Sequence, residues 1–145
     1  MLAYLLDRAM GALREKHLLA RRVGVYIRYD DGPSPEAAAG LPGGATGSTG
    51  EALAVAAGLL EQLITRRVAL RQVGVVLSGF SPASAARPLF EPPACEKHRR
   101  LDQAVDDIRR RFGHAAVIRG EAAALLGQMP QNDQGFILRT PSLTK

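Results

Sequence analysis

The chain of 145 residues contains one cysteine, Cys95, and only three scattered histidines. A single cysteine cannot form an internal disulfide, and these residues lack the spacing of zinc ligands. No structural metal or cofactor is therefore expected. No apolar run reaches the roughly 18 to 20 residues of a membrane-spanning helix, and the N-terminus lacks the basic start and cleavage site of a secretory signal. These absences predict a cytoplasmic protein.

Catalytic motifs are also scarce. The carboxylates of Asp30-Asp31 and Asp106-Asp107 are sequence neighbours, so each pair points in different directions on a strand or helix. Asp102 lies one helical turn before Asp106 among several arginines, a pattern typical of a solvated, salt-bridged helix face. The glycine-rich stretch after the first predicted strand has no lysine of the kind found in a phosphate-binding loop. The isolated chain is therefore not expected to be an enzyme.

Basic residues outnumber acidic residues by 19 to 14, which gives a net charge of +5 and a pI near 10. This balance suits a polyanionic partner such as nucleic acid. An arginine bias in an alanine- and glycine-rich chain can equally reflect GC-rich coding. The clusters are more informative than the total, and they comprise Arg21-Arg22, Arg66-Arg67, Arg99-Arg100 and Arg109-Arg110-Arg111.

Apolar periodicity predicts two helices and two strands before residue 80. The first helix covers Leu2 to Leu18. A second helix runs from a capping box at Ser48 and Glu51 to about Ile64. The strands are Arg21 to Asp30 and Arg66 to Phe80. The intervening stretch from Asp31 to Gly50 is rich in proline and glycine and is predicted to be a mobile loop.

The first predicted strand has two different faces. Val23, Val25, Ile27 and Tyr29 alternate with Arg22, Gly24, Tyr26 and Arg28. Such alternation predicts a half-buried strand with one apolar face and one basic, aromatic face.

After residue 80 the pattern is mainly helical. A linker over residues 81–95 leads to a third helix from Glu96 to Phe112. Its apolar residues are Leu101, Val105, Ile108 and Phe112, which share one face. A short strand is predicted at Ala115 to Ile118, followed by a short helix and an extended tail. Residues 1–80, 81–95 and 96–145 are thus predicted to be a domain, a linker and a helical extension.

Three motifs occur in the order found in one protein family. They are RRVGVYIRYDD in the first strand, RQVGVVLSG in the second and RRLDQAVDDIRRRFG in the third helix. From about Asp7 to Arg119 the chain resembles the C-terminal part of Y-family translesion DNA polymerases of the DinB type, DNA polymerase IV and ImuB-like proteins included. The resembling region is the little finger, an accessory DNA-binding domain.

The resemblance implies an α+β fold, an α/β sandwich of the little-finger type. A small mixed or antiparallel sheet would carry two helices on one face, with a C-terminal helix-strand extension. The other face would contact phosphates of duplex primer-template DNA without reading bases, and Gly74 would let a phosphate oxygen reach the main chain. The expected DNA contacts are Arg21, Arg22, Arg28, Arg66, Arg67, Arg71 and Gly74.

Two further expectations follow from the resemblance. Family members have a phosphate-contacting strand where this chain has Asp31–Gly50, so that strand is expected to be missing or irregular. Leu89-Phe90 resembles a peptide that binds the sliding clamp, although Ala86 replaces its glutamine. The partners implied are primer-template DNA, the clamp and the rest of a polymerase, whose absent palm would bind magnesium. Nucleoid association and a role in DNA repair are expected with them.

Two alternatives stay open from the residues alone. Leu89-Phe90 could make the chain chiefly an interaction module for the clamp, or the pair could simply pack on the third helix. The chain could also be a small α/β domain that binds a ligand or dimerises through its sheet.

Overall fold

The computed structural model describes residues 1–84, 93–125, 127–133 and 135–137, with only the backbone of residues 93–95. Four α-helices and five strands lie in these ranges. The helices are α1 (Leu2–Glu15), α2 (Thr49–Leu63), α3 (Pro93–Phe112) and α4 (Gly120–Ala123). The strands are β1 (Leu18–Leu19), β2 (Arg22–Tyr29), β3 (Glu36–Gly40), β4 (Leu70–Ser78) and β5 (Ser81–Pro82). No helix within these ranges is long and apolar enough to cross a bilayer.

The main sheet is antiparallel and has the order β3-β2-β4. The central strand β2 pairs Tyr26 with Glu36 on one side and with Gly74 on the other. Strands β1 and β5 form a separate pair beyond the end of β4. The α+β fold with a small antiparallel sheet is therefore confirmed.

Helices α1 and α2 cover one face of this sheet and form the main core. The apolar residues of β2 predicted to face inward are all almost fully buried. They meet the apolar side of α1 and the alanine-rich side of α2. The Ser48 hydroxyl accepts a hydrogen bond from the Glu51 N–H at 3.5 Å and caps α2, as the sequence predicts.

The prediction that Asp31–Gly50 is a loop without a strand is wrong, because Glu36–Gly40 forms β3 along the edge of β2. Its sequence, EAAAG, has low strand propensity. The free backbone groups of β2 supply hydrogen bonds that offset this, and Ala37 and Ala39 pack against the core. The expectation of a missing family strand is thereby corrected. After β3, Thr46 and Ala20 form an isolated antiparallel β-bridge.

Helix α3 departs from the prediction in the environment of Asp102. The apolar residues Leu101, Ile108 and Phe112 are exposed to 57%, 40% and 74%. Asp102, predicted to be solvated, is exposed to only 5% and accepts a hydrogen bond from the Thr49 N–H at 3.0 Å. Apolar periodicity located the helix correctly, whereas the expectation that Asp102 is solvated is wrong.

The inward side of α3 forms a network of ion pairs, called here the ion network. Arg14 of α1 binds Asp106 at 2.5 and 2.8 Å. Arg109 binds Asp7 at 2.5 Å, and both of these side chains are less than a tenth exposed. Arg119 lies 3.2 Å from Asp102 and 3.5 Å from Asp7. The six members are Arg14, Arg109, Arg119, Asp7, Asp102 and Asp106, so their formal charges cancel.

The ion network keeps Arg14 charged despite its burial. Desolvation alone would lower the pKa of the Arg14 guanidinium, but the hydrogen bond to Asp106 and the nearby carboxylates hold its pKa above the ordinary value. The same guanidinium donates to the Gly47 carbonyl at 3.0 Å and to the Thr49 hydroxyl at 2.8 Å. One side chain therefore joins α1, α3 and the start of α2.

After α3 the chain turns back onto α1. Gly113 has a φ of 87°, which favours glycine. His114–Ala116 then forms a 3₁₀ turn, so the strand predicted at Ala115–Ile118 is wrong. Ile118 instead packs against a second apolar cluster that includes Tyr4. Among the described residues, neither sheet has a strand that pairs with this segment. Ile137 joins this cluster, and its N–H donates to the Tyr4 hydroxyl at 2.9 Å.

Replacement of Arg14 tests the ion network. Arg14→Ala leaves the buried carboxylates of Asp102 and Asp106 short of a partner, so we expect a loss of about 3 kcal/mol in the free energy of unfolding. Urea denaturation measures it. Arg110→Ala removes an exposed pair with Asp107 on the same helix and serves as the control, with an expected loss of about 0.5 kcal/mol or less. Equal small losses in both variants would contradict the structural role of the network.

His114 predicts a pH dependence of stability. Burial, with a smaller contribution from Arg109, lowers the pKa of His114 from 6.5 to about 4. The unfolded chain therefore binds a proton at higher pH than the folded chain, so stability falls as the pH drops from about 6.5 to 4. We expect a loss of about 2 to 3 kcal/mol.

The variant His114→Phe isolates this effect. A phenyl ring fits between Tyr4 and Phe136, which contact the imidazole at centroid distances of 5.5 and 4.9 Å. The free energy of unfolding is obtained by denaturation of both proteins at several pH values. The difference between the two proteins should change only below about pH 6.5. The same pH dependence of the free energy of unfolding in both proteins would show that His114 does not cause the loss of stability at low pH.

Candidate nucleic-acid interface

The sheet face opposite α1 and α2 carries three of the residues predicted to bind DNA, Arg22, Arg28 and Gly74, and it is called here the open face. From β2 it presents Arg22, Gly24, Tyr26 and Arg28, which alternate with the buried residues. The register adds side chains from the two edge strands. These are Gln72, Gly74, Val76 and Ser78 of β4 and Glu36, Ala38 and Gly40 of β3.

The predicted arginines lie at the two ends of the open face. Arg21 and Arg22 begin β2 beside Ser78, the last residue of β4. Arg28 lies near the other end, where Arg67 and Arg71 occupy the turn into β4 and its start. Six residues of strand separate Arg22 from Arg28, a distance of about 20 Å. The sheet therefore holds two basic clusters apart at a fixed spacing.

Arg66 differs from the other predicted arginines because it is already engaged. It binds Asp31 at 2.5 Å, and its guanidinium lies 5.5 Å from the centroid of the Tyr29 ring. A phosphate would have to compete with both contacts. Arg66 therefore serves first to hold the turn before β4 against the end of β2.

The remaining predicted arginines, which lie on the open face or at its ends, are exposed. Within the part of the chain that the structure describes, no hydrogen bond or ion pair engages their side chains. They are Arg21, Arg22, Arg28, Arg67 and Arg71. Glu36 on the edge strand is a nearby carboxylate, across β2 from Gly74. The face thus keeps a surplus of unneutralised positive charge.

The role predicted for Gly74 is corrected by the structure. A Cβ at Gly74 would lie 2.0 to 2.3 Å from three atoms of the Tyr26 side chain. The glycine is therefore needed because the Tyr26 ring lies across it, and the ring covers the main chain that a phosphate oxygen was expected to reach. Filling the space above a strand glycine with an aromatic ring is a known way of stabilising a sheet.

Two features of this surface were not predicted from the sequence. Gln72 donates to the Tyr26 hydroxyl at 3.4 Å and so lies at the same end of the face as Arg28. A shift of register between Arg28 and Tyr29 leaves Arg71 as the extra residue of a β-bulge. The only available signal was the alternation that placed Tyr26 beside the arginines, because the register between strands is not visible in one sequence.

Other predicted sites fall elsewhere. Leu89 and Phe90, the proposed clamp-binding pair, lie outside the described residues, as does the side chain of Cys95. The carboxylates of Asp31 and Asp106 are paired with arginines. Among the described residues, no three His, Cys, Asp or Glu side chains are grouped so that they could hold a metal ion.

Comparison with known proteins adds two findings. Residues 1–88 match the model of the impB/mucB/samB family C-terminal domain. The chain is also 32% identical over 133 residues to a DNA polymerase IV from Desulfatibacillum aliphaticivorans. That alignment covers 90% of this chain and 33% of the relative. The chain therefore spans about a third of the length of the curated relative it matches.

A double-mutant cycle tests the contact between Gly74 and Tyr26. Gly74→Ala forces the Tyr26 ring to move, so we expect a loss of about 1 to 2 kcal/mol in the free energy of unfolding. In the background of Tyr26→Ala the same change should cost far less, because the space is then open. Urea denaturation of the four proteins gives the coupling. Equal costs in both backgrounds would mean that the ring does not lie over the glycine.

Proposed function

The chain belongs to the impB/mucB/samB family of C-terminal domains of Y-family DNA polymerases, and from this we propose that its open face binds duplex primer-template DNA. The domain would act as the accessory DNA-binding part of a translesion polymerase. It would bind independently of sequence and would hold damaged template during repair synthesis.

The observation that carries the proposal is the pair of basic clusters at the ends of the open face. Exposed arginines that no described residue engages keep their hydrogen-bond donors available for phosphate oxygens. A rigid sheet holds the clusters about 20 Å apart, so both can engage the backbone of one duplex. The buried core beneath β2 fixes the direction in which Arg22 and Arg28 project.

The centre of the open face supports binding to the DNA backbone rather than to base edges. Gly24 and Ala38 lie side by side across β2 and β3, and Ser78 and Gly40 flank Arg22. These residues offer few side-chain donors and acceptors, whereas base readout needs several placed at fixed positions. Contacts to phosphate carry no sequence information. A polymerase that copies varied or damaged templates needs DNA contacts that do not depend on sequence.

The parent protein would supply the chemistry. The relative with 32% identity is a DNA polymerase IV three times as long as the aligned region, so we propose that this domain positions DNA for a polymerase active site located elsewhere. Recruitment to the sliding clamp through Leu89-Phe90 remains a prediction from the sequence.

Binding of a labelled primer-template duplex across a salt series tests the function. We expect a Kd on the order of 10 to 100 μM near physiological salt, weakening linearly on a double-logarithmic plot. The variant Arg22→Ala, Arg28→Ala, Arg67→Ala, Arg71→Ala should lower the magnitude of that slope by about three to four. Fluorescence anisotropy of the labelled duplex is the readout.

A second quadruple variant controls for total charge. Replacing Lys97, Arg100, Arg110 and Arg111 of α3 with alanine removes the same formal charge from a helix that packs on α1, away from the sheet. This variant should keep the steep salt dependence. If the two variants weaken binding equally, the open face is not the site, and binding that ignores salt would contradict contact with phosphates.

A further inference from the structure

Three of the large apolar side chains left exposed in the described residues lie in one line on α3. Leu101, Ile108 and Phe112, with the half-buried Val105 between them, form a stripe called here the apolar seam. Their spacing of four, three and four residues is that of the a and d positions of a coiled coil. The seam is therefore shaped to meet another helix.

The fold keeps the seam exposed. Turning α3 to bury it would carry Asp102 and Arg109 away from their partners. It would also leave Arg14 without Asp106 and Asp7 with Arg119 alone among its described partners, which is costly. The exposed apolar stripe is thus a consequence of the ion network on the opposite side of the same helix. Rotation of α3 about its own axis cannot bury the seam without breaking that network.

The seam also borders a cavity. A space of about 160 Å³ lies between Leu101 and Val105 on one side and Val117 and Ile118 on the other. Four of the eight lining residues, Asp7, Asp102, Arg109 and Arg119, are charged members of the ion network and are already paired. The other four are the apolar residues that an inserting apolar side chain would meet.

The free border of the seam is basic. Lys97, Ala104 and Arg111 recur at seven-residue spacing beside it, the g positions if Leu101 is a d position. Lys97 and Arg111 are exposed, and within the described ranges no ion pair engages either of them. Arg100 lies just outside this row and is paired with Glu96. A facing helix therefore meets positive charge along this border.

We propose that the apolar seam is a docking site for an amphipathic helix of another protein, with carboxylates flanking its apolar stripe. Charge complementarity selects this occupant. A second copy of the chain would bring Lys97 and Arg111 against the same basic border, where like charges repel. The docked helix lies on a different surface from the proposed DNA site, so both could be occupied together.

A designed peptide tests this proposal. The probe is a three-heptad peptide of about 21 residues with leucine and isoleucine at a and d and glutamate at every e and g position, so that its own copies repel. We expect it to become helical when mixed with the chain, as measured by circular dichroism. Leu101→Ser combined with Phe112→Ser should weaken binding by about tenfold or more. The same double change at Ile64 and Val76, which are exposed on other surfaces, should leave binding unchanged.

Charge reversal distinguishes charge-specific recognition of the peptide from nonspecific apolar binding. Lys97→Glu combined with Arg111→Glu should weaken binding of the glutamate peptide and allow binding of a matching peptide with lysine at e and g. Thermal unfolding confirms that each variant is folded.

Three outcomes would overturn the proposal. They are failure of the glutamate peptide to bind the unmodified chain, equal binding of both peptides, and a dimer in light scattering that Leu101→Ser/Phe112→Ser abolishes. The last result would assign the seam to a second copy. None of them bears on duplex binding by the open face, which is measured separately.

Discussion

Three helices meet at Arg14 and Asp102, and the arrangement of the domain depends on that junction. Arg14 of α1 binds Asp106 of α3 and also two groups at the start of α2, while Asp102 of α3 accepts the N–H of Thr49. Neither charge could be buried alone, because each would lose its hydration without compensation. The sequence therefore has to place opposite charges on separate helices so that they meet in one volume. Helix α1 can then pack against the sheet on one side and against charged partners on the other.

This junction divides the molecule into two working surfaces. Beneath the sheet, α1 and α2 fill the core and leave the other sheet face open, with arginines at both ends. On the other side of α1, Asp102, Asp106 and Arg109 of α3 face inward, while Leu101, Ile108 and Phe112 are exposed. The basic open face suits the phosphate backbone and the apolar seam suits a helix. The open face offers positive charge and the seam offers apolar area, because the ion network fixes which side of α3 faces the domain.

Much of the sheet and the two core helices could be predicted from the sequence, because one face of each is apolar and the other is not. The alternation along β2 and the capping box at Ser48 are signals contained within a few residues. Strand β3 could not be found that way, since Glu36–Gly40 has little strand propensity and forms by pairing with β2. The burial of Asp102 on α3 was missed for a related reason. The apolar stripe of α3 is a stronger local signal than its carboxylates, and only the positions of Arg14 and Arg119 show that those carboxylates are the buried side. The arginines of the open face were located correctly on β2, but the Tyr26 ring over Gly74 depends on strand register.

The central claim is that DNA lies against the open face. The most direct measurement is a map of amide chemical-shift changes when unlabelled duplex is added to the ¹⁵N-labelled chain. The structure predicts changes along β2 and the start of β4, strongest near Arg22, Gly24, Arg28 and Gln72, with α3 unaffected. Changes confined to α3, or spread evenly over all basic residues, would contradict the account.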